Sequence, residues 1–532
     1  MGDLSPAERL TGRSNRTPRA LLAGTIGAVT LLGLLVVESG HYPGLQADEA
    51  WAGLTALSIQ EQGLTSPHGM NDYTAPVLPW ILANSFNVAS PGIVVMRITT
   101  AVLASLGLFF VLFGLVREAD LRAGVLFFSL FASSLLWTWY GRVAFEVIGL
   151  QDLLLGVVIA TTLGFAATGS LPFLAVAACL YATAIGIVSH LIFVTVPASL
   201  ATAALMLALA RGSDEKSDRL LGFALVNLAM SGVFVAAKLA VGQELFIGYR
   251  RVILAAFFCL PLAFAVFHRF AAPGLERVLS RAASHLSGRR QAIAALWMLV
   301  GIGLVYATAH HGLALVQIYS SIPLIQRFAS LTPTAPVQGS LYAWAGVLSV
   351  LTIGIVIQVG TPVRVRALPL LTAFLALWFV AALVWLAVAT TGNSIRYYRI
   401  PVLFAFLAIA VGFGSRPGGA GSRLAVLALI PAVALNTFAI RENVRGSNRH
   451  PIDFTIGSME ESSAHFIVLD EFVEAMRREN TCEFRTNYFI GEPMRFYLAL
   501  DTWVCDPQQV VEVDYCYDCI VPPFVRWSTQ RE

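Results

Sequence analysis

Two adjacent carboxylates, Asp48 and Glu49, stand in the run Leu45-Gln46-Ala47-Asp48-Glu49-Ala50-Trp51, about ten residues beyond the first long apolar stretch. A carboxylate held beside a hydroxyl can take its proton, or orient an attacking amine, so this pair has the chemistry of a general base. The other reading is ordinary loop charge, with Asp48 capping a helix from Ala50 to Glu61. Trp51, Tyr42 and His68 supply the aromatic and hydrogen-bonding surface that suits a sugar or a lipid head group.

Four further clusters carry chemistry. In the segment from Pro67 to Trp80, His68, Asp72 and Tyr73 lie close together. His68 and Asp72, with His310 and His311 from a distant loop, have the donor types for a divalent metal such as zinc, manganese or magnesium; the alternative for each is a solvated loop position. Arg142 and Glu146, four residues apart after Trp137-Thr138-Trp139-Tyr140, share one helical face and either pair with each other or serve a site near lipid, where ionisable groups are costly. In the run from Gly392 to Pro401, Arg396 beside Tyr397 is the preferred bidentate clamp for a phosphate, against simple contact with lipid phosphate. Lys238, Glu244, Arg250 and Arg251 make another group where a phosphate would fit, with membrane anchoring as the alternative.

The elements that position these residues are membrane spans. Of 532 residues, 57% are hydrophobic and only 13% charged, about half the charged fraction of a soluble domain. Apolar stretches of spanning length fall near 20–38, 93–116, 123–139, 147–168, 172–188, 191–210, 220–240, 252–267, 291–309, 340–359, 367–390, 398–415 and 422–440, about thirteen in all. Arg13, Arg16 and Arg19 precede the first span, and on alternate counting the same side receives Arg117, Arg122, Arg211, Lys216, Arg219, Arg364, Arg366, Arg416 and Arg423. By the positive-inside rule that side, with the N-terminus, is cytoplasmic. The long loop 39–92 and the other three clusters then face outward, and the segment Pro76 to Pro91 reads as short helices at the interface.

Residues 441–532 differ from the rest. They hold 9 Arg against 16 Asp or Glu, net −7, and four of the six cysteines, Cys482, Cys505, Cys516 and Cys519. An odd number of spans puts them outside, and the clustered cysteines point to one or two disulfides in an oxidising compartment. Alternating apolar residues at 466–469 and a charged stretch at 470–479 read as a strand and a short amphipathic helix of a small α/β domain. The expected organisation is thus a polytopic all-α membrane domain, 1–440, followed by a small extracytoplasmic α/β domain, 441–532. A net charge of +3 gives no reason to invoke a nucleic-acid partner, and the chain reads as a monomer in the lipid bilayer.

Asp48-Glu49 early in the first outer loop, the Pro76 to Trp80 segment, Arg142 with Glu146 at the next outer turn, and Arg396-Tyr397 before a proline-containing late span together resemble the GT-C class of integral membrane glycosyltransferases. Within it they are most similar to the branch of protein O-mannosyltransferases and lipid A aminoarabinose transferases. The resemblance implies a bacterial inner-membrane enzyme with a polyprenyl-monophosphate sugar as donor. It implies inverting transfer to a glycolipid, glycan or protein acceptor on the outer side, with no nucleotide. Asp48 would be the base or acceptor-binding group, Glu146 the second acidic residue, and Arg396 the partner of the donor phosphate. The family's charged pair before the prolines is replaced by Asn71-Asp72-Tyr73, without a lysine. A secondary transporter or lipid flippase is the rival class, and it predicts inverted halves with charged groups near the midplane.

Overall fold

The computed structural model describes residues 16–37, 39–40, 45–63, 74, 76–133, 137, 140–145, 147–211, 214–240, 359–389, 397, 399–414, 478, 481–486, 488–500, 506–515 and 525–529. Its helices are α1 (Thr17–Val36), α2 (Ala47–Gln62), α3 (Val77–Val88), α4 (Ile93–Glu118), α5 (Leu121–Ser133), α6 (Leu150–Thr168), α7 (Phe173–Ser189), α8 (Thr195–Arg211), α9 (Glu215–Ala240), α10 (Pro362–Ala367), α11 (Leu370–Ala389), α12 (Arg399–Gly414) and α13 (Tyr488–Leu500). Among the described residues five stretches are long and apolar enough to cross a membrane: α1, α4, α6, Leu191–Arg211 and Glu215–Ala236. The protein is a mostly α-helical, multi-pass membrane protein.

Nine of the thirteen expected spans fall on described helices. Those at 252–267, 291–309 and 422–440, and 340–359 except its last residue, lie outside the described residues. Within the stretch at 123–139 the described residues form α5 up to Ser133, about 20 Å of helix, and positions 134–136, 138 and 139 lie outside the described residues.

Small residues let the helices meet backbone to backbone, the usual device where lipid supplies no hydrophobic drive for association. α4 and α6 cross at Gly107 and Gly156: a Cβ on Gly156 would lie 2.3 Å from the Gly107 carbonyl oxygen, and one on Gly107 would lie 2.3 Å from that of Asp152. Polar side chains join the next layer. The indole N–H of Trp378 donates to Ser199 Oγ at 3.0 Å and that of Trp385 to Thr202 Oγ1 at 2.8 Å, tying α11 to α8. Trp378 also stacks on Phe404 of α12, with centroids 4.1 Å apart.

Basic residues gather at one end of this bundle. Arg16 donates to the carbonyl of Ala119 beyond α4 at 2.7 Å. Arg211 donates to the carbonyls of Val365 and Leu368, and Arg366 to that of Ala210, so α8 and α10 meet at that end too. The helix termini with Asp48, Arg97, Arg142, Asp152 and Arg399 form the opposite end.

The tail contributes strands β1 (Thr481–Arg485), β2 (Asp506–Tyr515) and β3 (Val525–Thr529) in the order β1-β2-β3, the first pair parallel and the second antiparallel. α13 is the crossover between β1 and β2, and it packs on α2. The expected strand at 466–469 and all but Arg478 of the expected helical stretch lie outside the described residues. The expected disulfide is not found: among the described residues there is no Sγ–Sγ pair. Cys482 belongs to β1, while Cys505, Cys516 and Cys519 lie outside the described residues. The oxidising compartment inferred from a disulfide loses that support.

The α4–α6 crossing predicts that Gly156→Ala costs about 1–3 kcal/mol through overpacking. Gly33→Ala or Gly222→Ala, where a Cβ meets nothing within 4 Å, should cost little beyond experimental scatter. Thermal melts in detergent distinguish the two.

Candidate functional site

α2 starts where Gln46 adopts an extended backbone and its Oε1 accepts from the N–H groups of Asp48 (2.6 Å) and Glu49 (3.3 Å). The cap is therefore Gln46, not Asp48. A longer amide side chain folds back to satisfy two of the orphan donors, which leaves Asp48 inside the first turn, partly buried. There a carboxylate is favoured by the helix dipole.

Glu49 is fully buried in a bidentate pair with Arg97 of α4. Arg97 Nε donates to Glu49 Oε1 and Nη2 to Oε2, both at 2.7 Å. Arg97 Nη1 donates to the carbonyl of Ser39 at 2.9 Å, and the N–H of Ala144 donates to Glu49 Oε1 at 3.0 Å. One ion pair thus joins the exit of α1, the start of α2, α4 and the turn before α6. It fixes the backbone beside Asp48, and Glu49's oxygens are engaged in doing so.

Arg142, in a 3-10 turn (Tyr140–Arg142), is buried and donates through Nη1 to the carbonyl of Val37 (2.5 Å) and through Nη2 to that of Leu34 (2.6 Å). A guanidinium is well placed at a helix C-terminus, where carbonyls lack partners. The structure therefore places Arg142 on the end of α1. Glu146 lies outside the described residues.

Beyond this turn opens a narrow cleft lined by Trp137, Gln151, Asp152, Tyr397, Arg399 and Ile400, among others. Val147 lines it too, only three residues from Ala144, so the cleft wall and the Glu49 clamp are at most about 11 Å apart along the chain. Arg399, the first residue of α12, donates through Nη2 to Asp152 Oδ2 at 2.7 Å, and its guanidinium lies 4.2 Å from the centroid of the Trp137 ring. Asp152 also accepts from the N–H of Gly149 at 3.2 Å. Gly149 has φ +67, and a Cβ there would stand 2.8 Å from the Thr100 carbonyl oxygen, so the turn that aims Asp152 needs glycine. Tyr397 packs on His190, centroids 5.8 Å apart. His190 accepts from the Ile192 N–H through Nδ1, accepts from Gln151 through its carbonyl, and forms a backbone bridge to Thr74 at the end of the first loop.

Of the residues singled out by sequence, the structure brings Asp48, Glu49 and Arg142 to one end of the bundle, with Tyr397 in the cleft. Trp51 is buried in the core. Lys238 lies near the end of α9. Tyr73, His68, Asp72, Arg250, Arg396, His310 and His311 lie outside the described residues, and among the described ones no group of three His, Cys, Asp or Glu could hold a metal. Sequence reasoning passed over Arg97 and preferred Arg396 to its neighbour Arg399. The signal for Arg97 was available: an arginine set among the apolar residues of a membrane-spanning helix needs a partner.

The fold and the site define a multi-pass helical membrane protein whose narrow cleft at one end holds a buried arginine paired with an aspartate. No family model and no curated protein matches the chain. Solved structures similar to it include ArnT from Cupriavidus metallidurans bound to undecaprenyl phosphate, at 14% identity over 73% of this chain and 77% of that one, TM-score 0.35. The apo form of that protein matches at 14% identity over 71% and 76%, TM-score 0.32. The archaeal oligosaccharyltransferase AglB from Archaeoglobus fulgidus, in complex with an inhibitory peptide and a dolichol-phosphate, matches at 14% over 92% of this chain and 60% of that one, TM-score 0.44. At such scores the function rests on the geometry of this chain.

Arg97→Ala strands a buried carboxylate and should destabilise the protein by about 3–5 kcal/mol. Arg142→Ala, which leaves two carbonyls unpaired, should cost less, about 1–3 kcal/mol. The order of the two melting temperatures in detergent checks this.

Proposed function

We propose that the protein is an inverting, GT-C-type glycosyltransferase that moves a sugar from a polyprenyl monophosphate to an acceptor on the outer side of the membrane. The observation that carries this reading is the arrangement at one end of the bundle. A partly buried carboxylate, Asp48, is held on a rigid helix start there, and the turn that fixes it leads into a cleft holding a buried arginine between an indole and a carboxylate. The opposite end carries the basic residues that mark the cytoplasmic face.

In the proposed reaction Asp48 takes the proton of an acceptor hydroxyl, or orients an acceptor amine, as that nucleophile forms its bond to the anomeric carbon. The bond from that carbon to the phosphate oxygen breaks, and its electron pair leaves with the phosphate. Arg399 stabilises the charge that develops on the leaving group, a role for which a preoriented guanidinium is suited. Asp152 and Trp137 keep that guanidinium in place, and the half-buried Tyr397 offers a ring face to a sugar. Single displacement inverts the anomeric centre. The donor arrives on lipid in the bilayer, so the chain needs no nucleotide fold. His68, Asp72, His310 and His311 remain the proposed ligands if a divalent metal takes part, and no step here is routed through one.

The acceptor class is a glycolipid, glycan or protein. The transporter reading is weaker because the Asp152–Arg399 pair joins the starts of α6 and α12, whereas a transporter places such charges at the midplane.

Transfer of radiolabelled sugar from a panel of polyprenyl-phosphate donors in membranes tests the proposal. Asp48→Asn should lower the rate by about 10²–10⁴-fold at wild-type expression. Arg399→Lys, which keeps the charge but loses the planar fork, should lower it less. Wild-type labelling in Asp48→Asn would remove Asp48 from the mechanism, and solute or lipid flux without any labelling would favour the transporter.

A further inference from the structure

α2 buries five successive residues, Glu49, Ala50, Trp51, Ala52 and Gly53. Five in a row cover every side of a helix, whereas a helix against one neighbour buries a single stripe. α4 reaches α2 through Arg97, α3 packs along it, and α13 of the tail packs on it as well.

The contact with α13 is a knob in a notch. Phe496 is fully buried, and its ring fills the space that a side chain at position 53 would take. A Cβ on Gly53 would lie 2.3 Å from Phe496 Cε2 and 2.9 Å from Met96 Sδ of α4, so the ring is wedged where α2 and α4 meet. α13 itself is braced on the sheet. Arg495 lies over the ring of Phe484 on β1, 5.9 Å from its centroid, and pairs with the buried Glu492 at 2.5 Å.

Gly53 is five residues from Asp48, about 7.5 Å along the helix axis. The Glu49–Arg97 pair pins the start of α2, and Phe496 blocks its motion one turn further on. We infer that Phe496 is a positioning residue through which the C-terminal segment holds α2, and with it Asp48, in working orientation. For its effect on transfer the inference rests on the proposed role of Asp48; for its effect on α2 it does not. Phe496→Ala frees α2 to pivot about the Arg97 pin. A displacement of about 1 Å at a reacting group is worth up to 10²-fold in rate.

The test uses the full-length protein in nanodiscs with two readouts, hydrogen exchange over residues 45–62 and initial rates of sugar transfer from polyprenyl-phosphate donors. Phe496→Ala should speed exchange over 45–62 and leave the α4–α6 crossing near Gly107 and Gly156 unchanged. It should lower kcat by about 10- to 100-fold at constant KM for the donor. Phe496→Leu, which keeps a large apolar knob, should retain most of both. Faster exchange in Phe496→Ala with no transfer by the wild type would uphold the positioning role and sink the transferase reading. Unchanged exchange over 45–62 would overturn the inference whatever the activity. If Phe496→Ala does not accumulate, Gly53→Ala alone and combined with Phe496→Leu decides: the smaller knob should recover part of what Gly53→Ala loses, and additive losses would overturn the inference.

Discussion

Glu49 and Arg97 are opposite charges with 0% and 1% of their side-chain surface exposed, joined by two hydrogen bonds of 2.7 Å. Removing such charges from water costs several kcal/mol for each ion, and their attraction offsets that only when geometry is good and the remaining donors and acceptors are met. Here they are met by backbone: the Ser39 carbonyl takes the third guanidinium bond and the Ala144 N–H gives the carboxylate another. The same saturation makes the pair a junction. It fixes four chain segments at once, and Asp48 is covalently next to it.

The second half of the site depends on close backbone approach. Gly107, Gly149 and Gly156 let α4 and α6 touch without side chains between them, which sets the height at which α6 begins and so where Asp152 meets Arg399. Arg399 in turn stacks on Trp137, just before the turn that leads back to Ala144 and Glu49. The tail closes the arrangement where α2 and α4 meet, through Phe496. Each link is short-range, and together they connect the sheet of the tail, the start of α2 and the cleft.

Much of this was legible in the sequence. Composition gave the membrane class, and apolar run lengths gave α1, α4 through α9, α11 and α12, because lipid leaves few other backbone structures open. The carboxylate pair, the Arg142 turn and the run to Pro401 were found from residue type and spacing, and the structure brings their described members to one end. What could not be read was partner choice. Arg142 was four residues from an acid, yet its guanidinium satisfies carbonyls more than a hundred positions away. Arg399 finds Asp152 across 247 positions. Gln46 caps α2 although it is a poorer capping type than Asp48. Cysteine clustering in the tail gave the wrong inference of a disulfide, since clustering in sequence says nothing about Cα separation in space. α13 was missed because Pro493 inside it breaks the local pattern of a helix.

The measurement that tests the account most directly is a double-mutant cycle on the buried pair, comparing Glu49→Gln, Arg97→Met and the combined variant by melting temperature in detergent. If the pair is the junction described, each single variant strands the other charge, and the combined variant melts no lower than the worse single one. Additive losses would show that Glu49 and Arg97 act independently, and would contradict the claim that their contact organises the site.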